Sequence, residues 1–293
     1  MPFHQLVIEL GHADPGPAET ACLAQGAIAI WLSDAGDEAL LEPAPGATPL
    51  WREVRLRALF EESATPALLA ATLTAVLDLP PGAIHAELVA DRVWEREWLK
   101  DFRPMRFGPR LWVCPGGQRA PDPDAVVLEL DPGLAFGTGT HATTAMCLEW
   151  LASRDLAGAT LLDYGCGSGI LALAALALGC RSATAFDIDP QALLATHDNA
   201  TKNALQDRLA IVREPGAIQG AFDCMVANIL ADPLCQLAPE LARHCRAGGA
   251  VLLAGLLDEQ AAAVARAYGP WFDIETAAQR EGWTSLAGRR RAE

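Results

Sequence analysis

A chain of 293 residues is long enough for one domain of ordinary size and a smaller companion. Hydrophobic residues make up 51% and charged residues 20%, the balance of a folded, soluble chain rather than a disordered or fibrous one. The formal charge of −15 argues against a broad electrostatic footprint on nucleic acid, and it either steers a basic partner or serves solubility alone. The opening MPFHQLVIEL lacks a basic region and carries Glu9, so no secretory signal is expected. The longest apolar run, Ile170–Leu178, is far short of a membrane span. Eight cysteines without a C-x-x-C or a repeated spacing read as small buried hydrophobes in a reducing compartment, not as a disulfide frame or a zinc site.

Residues 1–90 are predicted to form a separate unit. Gln5–Glu9, Ala27–Leu32, Trp51–Phe60 and Ile84–Val89 suit strands, Pro17–Gln25 a short helix, and Pro66–Leu77 an amphipathic helix with proline in its first turn. The order β-α-β-β-α-β predicts a small α+β, ferredoxin-like domain. It contains no catalytic constellation, which leaves it as a partner-recognition module or a structural accessory. Residues 91–108, DRVWEREWLKDFRPMRFG, read as a helical linker with Trp94 and Trp98 on one face. Residues 109–293 form the third segment, opening with strands at Arg110–Cys114 and Val126–Leu130.

Asp131–Thr144, DPGLAFGTGTHATT, is rich in glycine and threonine around a lone aromatic, Phe136, and leads into an apolar helix from Thr143 to about Leu151. Thr138, Thr140, His141, Thr143 and Thr144 offer hydroxyl, imidazole and helix-N-terminal donors suited to a carboxylate. His141 has no Asp, Glu or His at ligand spacing, so it reads as a satisfied loop histidine.

The strongest signal follows. An apolar run at Leu161 and Leu162 stops at Asp163 and breaks into Gly165, Gly167 and Gly169. A small-residue helix runs from Ser168 to about Leu178, a second apolar run Ala183–Phe186 ends on Asp187 with Ile188 beside it, and Pro190 starts another helix. Strand, glycine turn, helix, strand, acid is the order of a nucleotide-binding βαβ unit in a doubly wound sheet. Asp187 is placed to accept hydrogen bonds from both hydroxyls of a ribose. The turn spaces its glycines G-x-G-x-G rather than G-x-G-x-x-G, and Asp163 would repel a pyrophosphate but suit an ammonium and a sulfonium. Those are the charges of S-adenosylmethionine, against whose adenine or methionine arm Phe136 could lie. A dinucleotide in a dehydrogenase, and a non-catalytic binding protein, stay open on this pattern alone.

Phe222–Ala227 is a buried-strand run ending at Asn228-Ile229-Leu230-Ala231. At the carboxyl end of the fourth strand, Asn228 can accept a hydrogen bond from an amine nucleophile, with the Ile229 carbonyl as a second acceptor; the plainer reading makes Asn228 a cap for the next helix. Gly249–Ala254 suits a strand, Asp258–Tyr268 a helix, and Phe272–Ala278 with Trp283–Gly288 a closing antiparallel pair. Arg289-Arg290-Arg291 reads as a solvated basic tail.

Taken together, Trp94-Glu95-Arg96-Glu97-Trp98, the run Asp131–His141, Asp163–Gly169 and Asn228–Ala231 resemble the class I S-adenosylmethionine-dependent methyltransferases with a seven-stranded Rossmann-like sheet. More narrowly they resemble the bacterial family that methylates ribosomal large-subunit protein eleven, over nearly the full length. The resemblance implies cofactor contacts at Thr144, Gly165, Asp187 and Asn228, with Phe136, Gly137, Thr138, Gly167 and Ile188 beside them. Position and chemistry make Asn228 the expected catalytic residue, the Cys and His spacings predict no metal, the acidic charge favours a basic substrate, and a monomer is expected. The resemblance also implies a cytoplasmic enzyme that methylates α-amino and lysine ε-amino groups of a ribosomal protein. Its N-terminal domain would grip the substrate and swing about the linker. Many amino-methylating relatives of the wider class follow this asparagine with Pro-Pro and an aromatic, whereas Ile-Leu-Ala follows here. A same-fold enzyme acting on RNA or a small amine is the alternative.

Overall fold

The structure is a computed structural model that describes residues 3–36, 38, 49–61, 64–89, 103–130 and 139–292. It is a mixed α/β protein whose chain divides into two compact units, Met1–Glu97 and Trp98–Glu293.

The first unit runs β1 (Phe3–Gly11), α1 (Gly16–Ala24), β2 (Ala29–Asp34), β3 (Val54–Glu61), α2 (Pro66–Val76) and β4 (Ile84–Val89). Its antiparallel sheet has the order β2-β3-β1-β4. Strict alternation along β3 buries Val54, Leu56, Ala58 and Phe60 while Arg55 and Arg57 face away, as a pleat with one covered face requires. Leu6 and Ile8 of β1 join that core with Cys22 of α1 and Leu73 of α2. The amphipathicity expected of α2 is weaker than its sequence implied. Leu69 and Leu73 pack inward, but Leu68 and Val76 stand in solvent, because PALLAATLTAV is apolar all round and only one stripe can face the sheet.

The second unit begins with a small sheet of β5 (Met105–Phe107), β6 (Leu111–Cys114) and β7 (Val126–Glu129). Residues 105–107, read from sequence as the end of a linking helix, instead pair antiparallel with β6. Pro104 blocks helix continuation, and Phe107 is buried in the core while Arg106 turns outward. Trp94 and Trp98 lie outside the described residues.

Next come α3 (Ala142–Ala152), β8 (Thr160–Tyr164), α4 (Ile170–Ala177), β9 (Ser182–Phe186), α5 (Pro190–Lys202), β10 (Leu209–Val212), β11 (Phe222–Asn228), α6 (Ala231–His244), β12 (Cys245–Leu257), α7 (Ala261–Tyr268), β13 (Phe272–Arg280) and β14 (Trp283–Arg290). The seven-stranded sheet has the order β10-β9-β8-β11-β12-β14-β13, with β14 antiparallel to both of its neighbours. The edge strand β10 was not anticipated; four residues are too few to show a period. Both faces of the central strands β8, β11 and β12 are buried, so these read as apolar runs. Leu161, Cys224, Val226 and Leu252 face a core shared with α3 and α4, whereas Leu162, Met225, Val251 and Leu253 face one shared with α6 and α7. The arginines at the end of β14 are not a free tail: Arg290 donates to the Trp271 carbonyl at 3.2 Å, and Arg291 pairs with Asp273 at 2.8 Å.

Candidate functional site

The carboxyl ends of β8, β9 and β11 meet at the glycine turn. Gly165, Gly167 and Gly169 all have positive φ (79°, 53° and 78°), the region that favours glycine. The turn is pinned to β9, since the Gly165 and Cys166 N–H groups both donate to the Phe186 carbonyl at 2.8 and 2.9 Å. At the β9 tip the two oxygens of Asp187 accept from Gly167 N–H (2.9 Å) and Asp189 N–H (3.0 Å). Each oxygen keeps a further lone pair, so the carboxylate can still receive ribose hydroxyls. Ile188, beside it, is 75% exposed, a flat apolar surface where an aromatic base could rest. Asp189 caps α5 by accepting from Gln191 N–H at 2.9 Å, with Pro190 at the first helical position, an arrangement worth about 1 kcal/mol.

Asp163 differs from its expected place. It is wholly buried beneath the turn, where Oδ2 accepts from Ala172 N–H at 3.0 Å and Oδ1 has no partner among the described residues. It therefore does not form a second acidic wall of the ligand crevice. Burial pushes its carboxyl up to about 7, opposed by the Ala172 N–H and aided by the Asp187 charge. The folded state thus holds the proton more tightly than the unfolded chain. The resulting stability is fully present below the ordinary carboxyl pKa and is lost as pH rises through about 7. Asp163→Asn should keep the Ala172 contact and remove that dependence. Its melting temperature relative to wild type should climb from pH 4 to pH 7 and level off above, with at most about 4 kcal/mol at stake. Parallel melting curves across that range would count against a raised Asp163.

At the start of α3, His141 is the N-cap: its Nδ1 accepts from Thr143 N–H at 3.3 Å and contacts the Thr143 hydroxyl at 2.8 Å. The Trp283 ring meets the imidazole edge-on at 5.0 Å. The residue is a cap, and no group of three metal-ligating side chains occurs among the described residues. Thr144 is buried and brought to β11, where its hydroxyl oxygen lies 3.3 Å from the Asn228 side-chain nitrogen, which donates to it. Asn228 does not cap the following helix; Leu230 holds that position without a side-chain bond. Ile229 seats against the turn so closely that a Cβ on Gly165 would lie 2.3 Å from its Cγ2. Thr144, Gly165, Gly167, Asp187, Ile188 and Asn228 therefore lie on four elements, α3, the turn after β8, the β9 tip and the end of β11, while Phe136, Gly137 and Thr138 lie outside the described residues.

One set of supporting residues was missed from sequence. Thr196 and Asn199 of α5 and Asn203 at its C-cap follow one face at helical spacing. Thr196 Oγ1 donates to the Gly167 carbonyl and Asn199 Nδ2 to the Ser168 carbonyl, each at 2.9 Å. Asn203 donates to and accepts from the Glu129 backbone at 2.7 and 2.8 Å, fixing the end of β7. Polar residues at i, i+3 and i+7 in a helix facing a glycine turn are the signal that could have found them. Cys166 is buried with its sulfur 3.4 Å from the Thr196 hydroxyl, and burial pushes its thiol up, so it is a filler and not a nucleophile.

These residues fit a ligand with a ribose and an aromatic base: an acid at the second strand tip, an apolar ledge beside it, and a turn whose first glycine leaves no room for a Cβ. A seven-stranded α/β sheet with that turn defines an S-adenosylmethionine-dependent methyltransferase. Comparison with known proteins narrows the class. The family model described as ribosomal protein L11 methyltransferase matches residues 2–291. The ribosomal protein L11 methyltransferase of Pseudomonas aeruginosa (strain LESB58) is 49% identical over 296 residues, covering 100% of both chains. That of Methylococcus capsulatus (strain ATCC 33009 / NCIMB 11132 / Bath) is 50% identical over 291 residues, 99% of each. The crystal structure of ribosomal protein L11 methylase from Lactobacillus delbrueckii subsp. bulgaricus superposes with a TM-score of 0.60 at 31% identity, covering 65% of this chain and 100% of that one. The chain belongs to the ribosomal protein L11 methyltransferase family.

Proposed function

We propose that this chain methylates α-amino and lysine ε-amino groups of ribosomal protein L11, with the amine presented at the carboxyl end of β11. The observation that carries the reading is the Asn228 tip. Its side-chain nitrogen is engaged by Thr144, which leaves the amide oxygen as the acceptor, and Ile229 ties the same tip to the glycine turn. Asp187 would hold the ribose, Ile188 the adenine, and the Gly165 and Gly167 backbone with Thr144 the methionine end; Phe136, Gly137 and Thr138 would complete the enclosure. The bound donor supplies an electrophilic methyl group on a sulfonium.

What the protein must do is deliver an amine with a free lone pair. An α-amine with a pKa near 8 loses its proton readily at neutral pH, whereas a lysine near 10.4 requires about 4–5 kcal/mol unless the site lowers its pKa. Burial beside positive charge lowers it. The Asn228 oxygen accepts one amine N–H, the Ile229 carbonyl offers a second acceptor, and the lone pair is left to face the methyl group. Positioning supplies the rate, and no side chain is needed as a base.

We read the first unit, with its sheet order β2-β3-β1-β4, as a ferredoxin-like substrate-recognition domain, and residues 91–102 as the segment that joins it to a catalytic unit acting as a cytoplasmic monomer. The test is transfer of a radiolabelled methyl group to purified L11, followed by a mass spectrum of the product. Label on the protein amines is expected, and label on ribosomal RNA instead would overturn the assignment. Asp187→Ala should raise the dissociation constant for S-adenosylhomocysteine about 10–100-fold, the worth of hydrogen bonds to a carboxylate. Part of that loss comes from freeing Gly167 N–H, which Asp187→Asn retains a partner for, so the asparagine variant should bind more tightly than the alanine one. An unchanged titration in the alanine variant removes the ribose assignment.

A further inference from the structure

At the other end of the seven-stranded sheet, the amino ends of β8, β9, β11 and β12 border a cavity of about 450 Å³. Arg154, Arg181, Arg246 and Arg289 line it, together with Asp155 and Asp223. The ladders explain why these side chains converge. Arg181 N–H donates to the Ala159 carbonyl at 2.8 Å just before β9 starts beside β8, and the register Cys224↔Ala250↔Arg289 carries the row across β11, β12 and β14.

Both acids are already engaged. Asp223 pairs with Arg246 and accepts from the Thr160 N–H and hydroxyl at 2.8 Å each, and Asp155 accepts from Ala157 N–H at 3.1 Å. The Arg154 guanidinium lies 3.9 Å from the centre of the Trp150 ring, which orients it without neutralising it. Among the described residues, Arg181 and Arg289 have neither an ion pair nor a hydrogen bond for their guanidinium groups. Four guanidiniums against two carboxylates leave a local charge of about +2 on a chain whose formal charge is −15. Planar guanidinium forks match tetrahedral phosphate oxygens in bidentate fashion, and a cavity of this size suits a single nucleotide. The formal charge of −15 over the whole chain disfavours a long polyanion, so a compact phosphate is the favoured occupant.

We propose that this cavity binds the phosphate or diphosphate group of a small phosphorylated molecule, at a site separate from the methyl-transfer centre. The proposal does not depend on which amine is methylated. Calorimetric titration of the full chain with pyrophosphate at low ionic strength should show saturable binding that fades with added salt. Arg181→Ala and Arg289→Ala should each weaken it about tenfold or more, the double variant should nearly abolish it, and S-adenosylhomocysteine binding should be unchanged in all three. Arg181→Lys and Arg289→Lys, which keep the charge but not the fork, should fall between and guard against loss of fold. The proposal is overturned by an absence of saturable binding into the millimolar range, or by wild-type affinity in the double variant. Tighter binding of a short single-stranded RNA through the same two arginines would also overturn it, since the phosphate would then come from nucleic acid.

Discussion

Replacing Asn228 by alanine is expected to slow methyl transfer to L11 by about 100-fold while leaving donor binding measurable. The alanine removes the amide oxygen that receives the amine and frees the Thr144 hydroxyl from its 3.3 Å contact. It leaves β11 intact, because Asn228 is paired to Ala254 through the backbone. A second substitution separates aim from mere acceptance. Asn228→Asp keeps an acceptor but adds a charge that favours the ammonium over the reactive amine, so its activity should fall and its pH optimum should move upward. Single-turnover rates across pH, with the donor titrated separately, provide the measurement. Wild-type turnover in the alanine variant would remove Asn228 from the reaction.

The second large effect is expected at Gly255, which no reading of the sequence singled out. A Cβ there would lie 2.4 Å from the Ile229 carbonyl oxygen, 2.9 Å from its carbonyl carbon and 3.1 Å from its nitrogen, and φ is +83°. These are backbone atoms, so they cannot swing aside as a side chain would, and Ile229 must shift with Asn228 attached. Gly255→Ala should therefore lower kcat more than tenfold with little change in donor affinity, since a displacement near 1 Å at a reacting group is worth up to about 100-fold. It should also lower the melting temperature by several degrees through left-handed strain of about 1–2 kcal/mol. Gly248→Ala is the control: it shares β12 and a φ of +73°, yet nothing lies within 4 Å of the added carbon. It should be less stable and fully active. Equal kcat losses in the two variants would show that strain alone, and not the seat of Ile229, governs the rate.

Those two glycines show where sequence reading stops. The glycine turn, the acid at Asp187 and the Asn228 tip were legible because each is a chemical type at a strand end, and strand ends follow from apolar runs closed by Gly, Pro or Asp. The terminal antiparallel pair and the helix before it were legible for the same reason. Gly255 sits inside the apolar run of β12, where nothing local reveals that another strand's loop will press on it. Asp163 was placed at the ligand because an acid before a glycine turn looks exposed; only packing shows that α4 closes over it. Residues 105–107 were lost to a linker because three residues carry too little pattern, and their partner strand arrives only after the Pro109 turn.

The place of β14 has a consequence for assembly. It lies between β12 and β13, so the strand latest in sequence is an interior member of the sheet. A chain lacking Trp283–Arg290 would leave β12 with a row of unpaired backbone groups and strand β13 with no neighbour. Such a half-built layer invites stacking against a second molecule, and the enzyme avoids that hazard only when the wedge slides home.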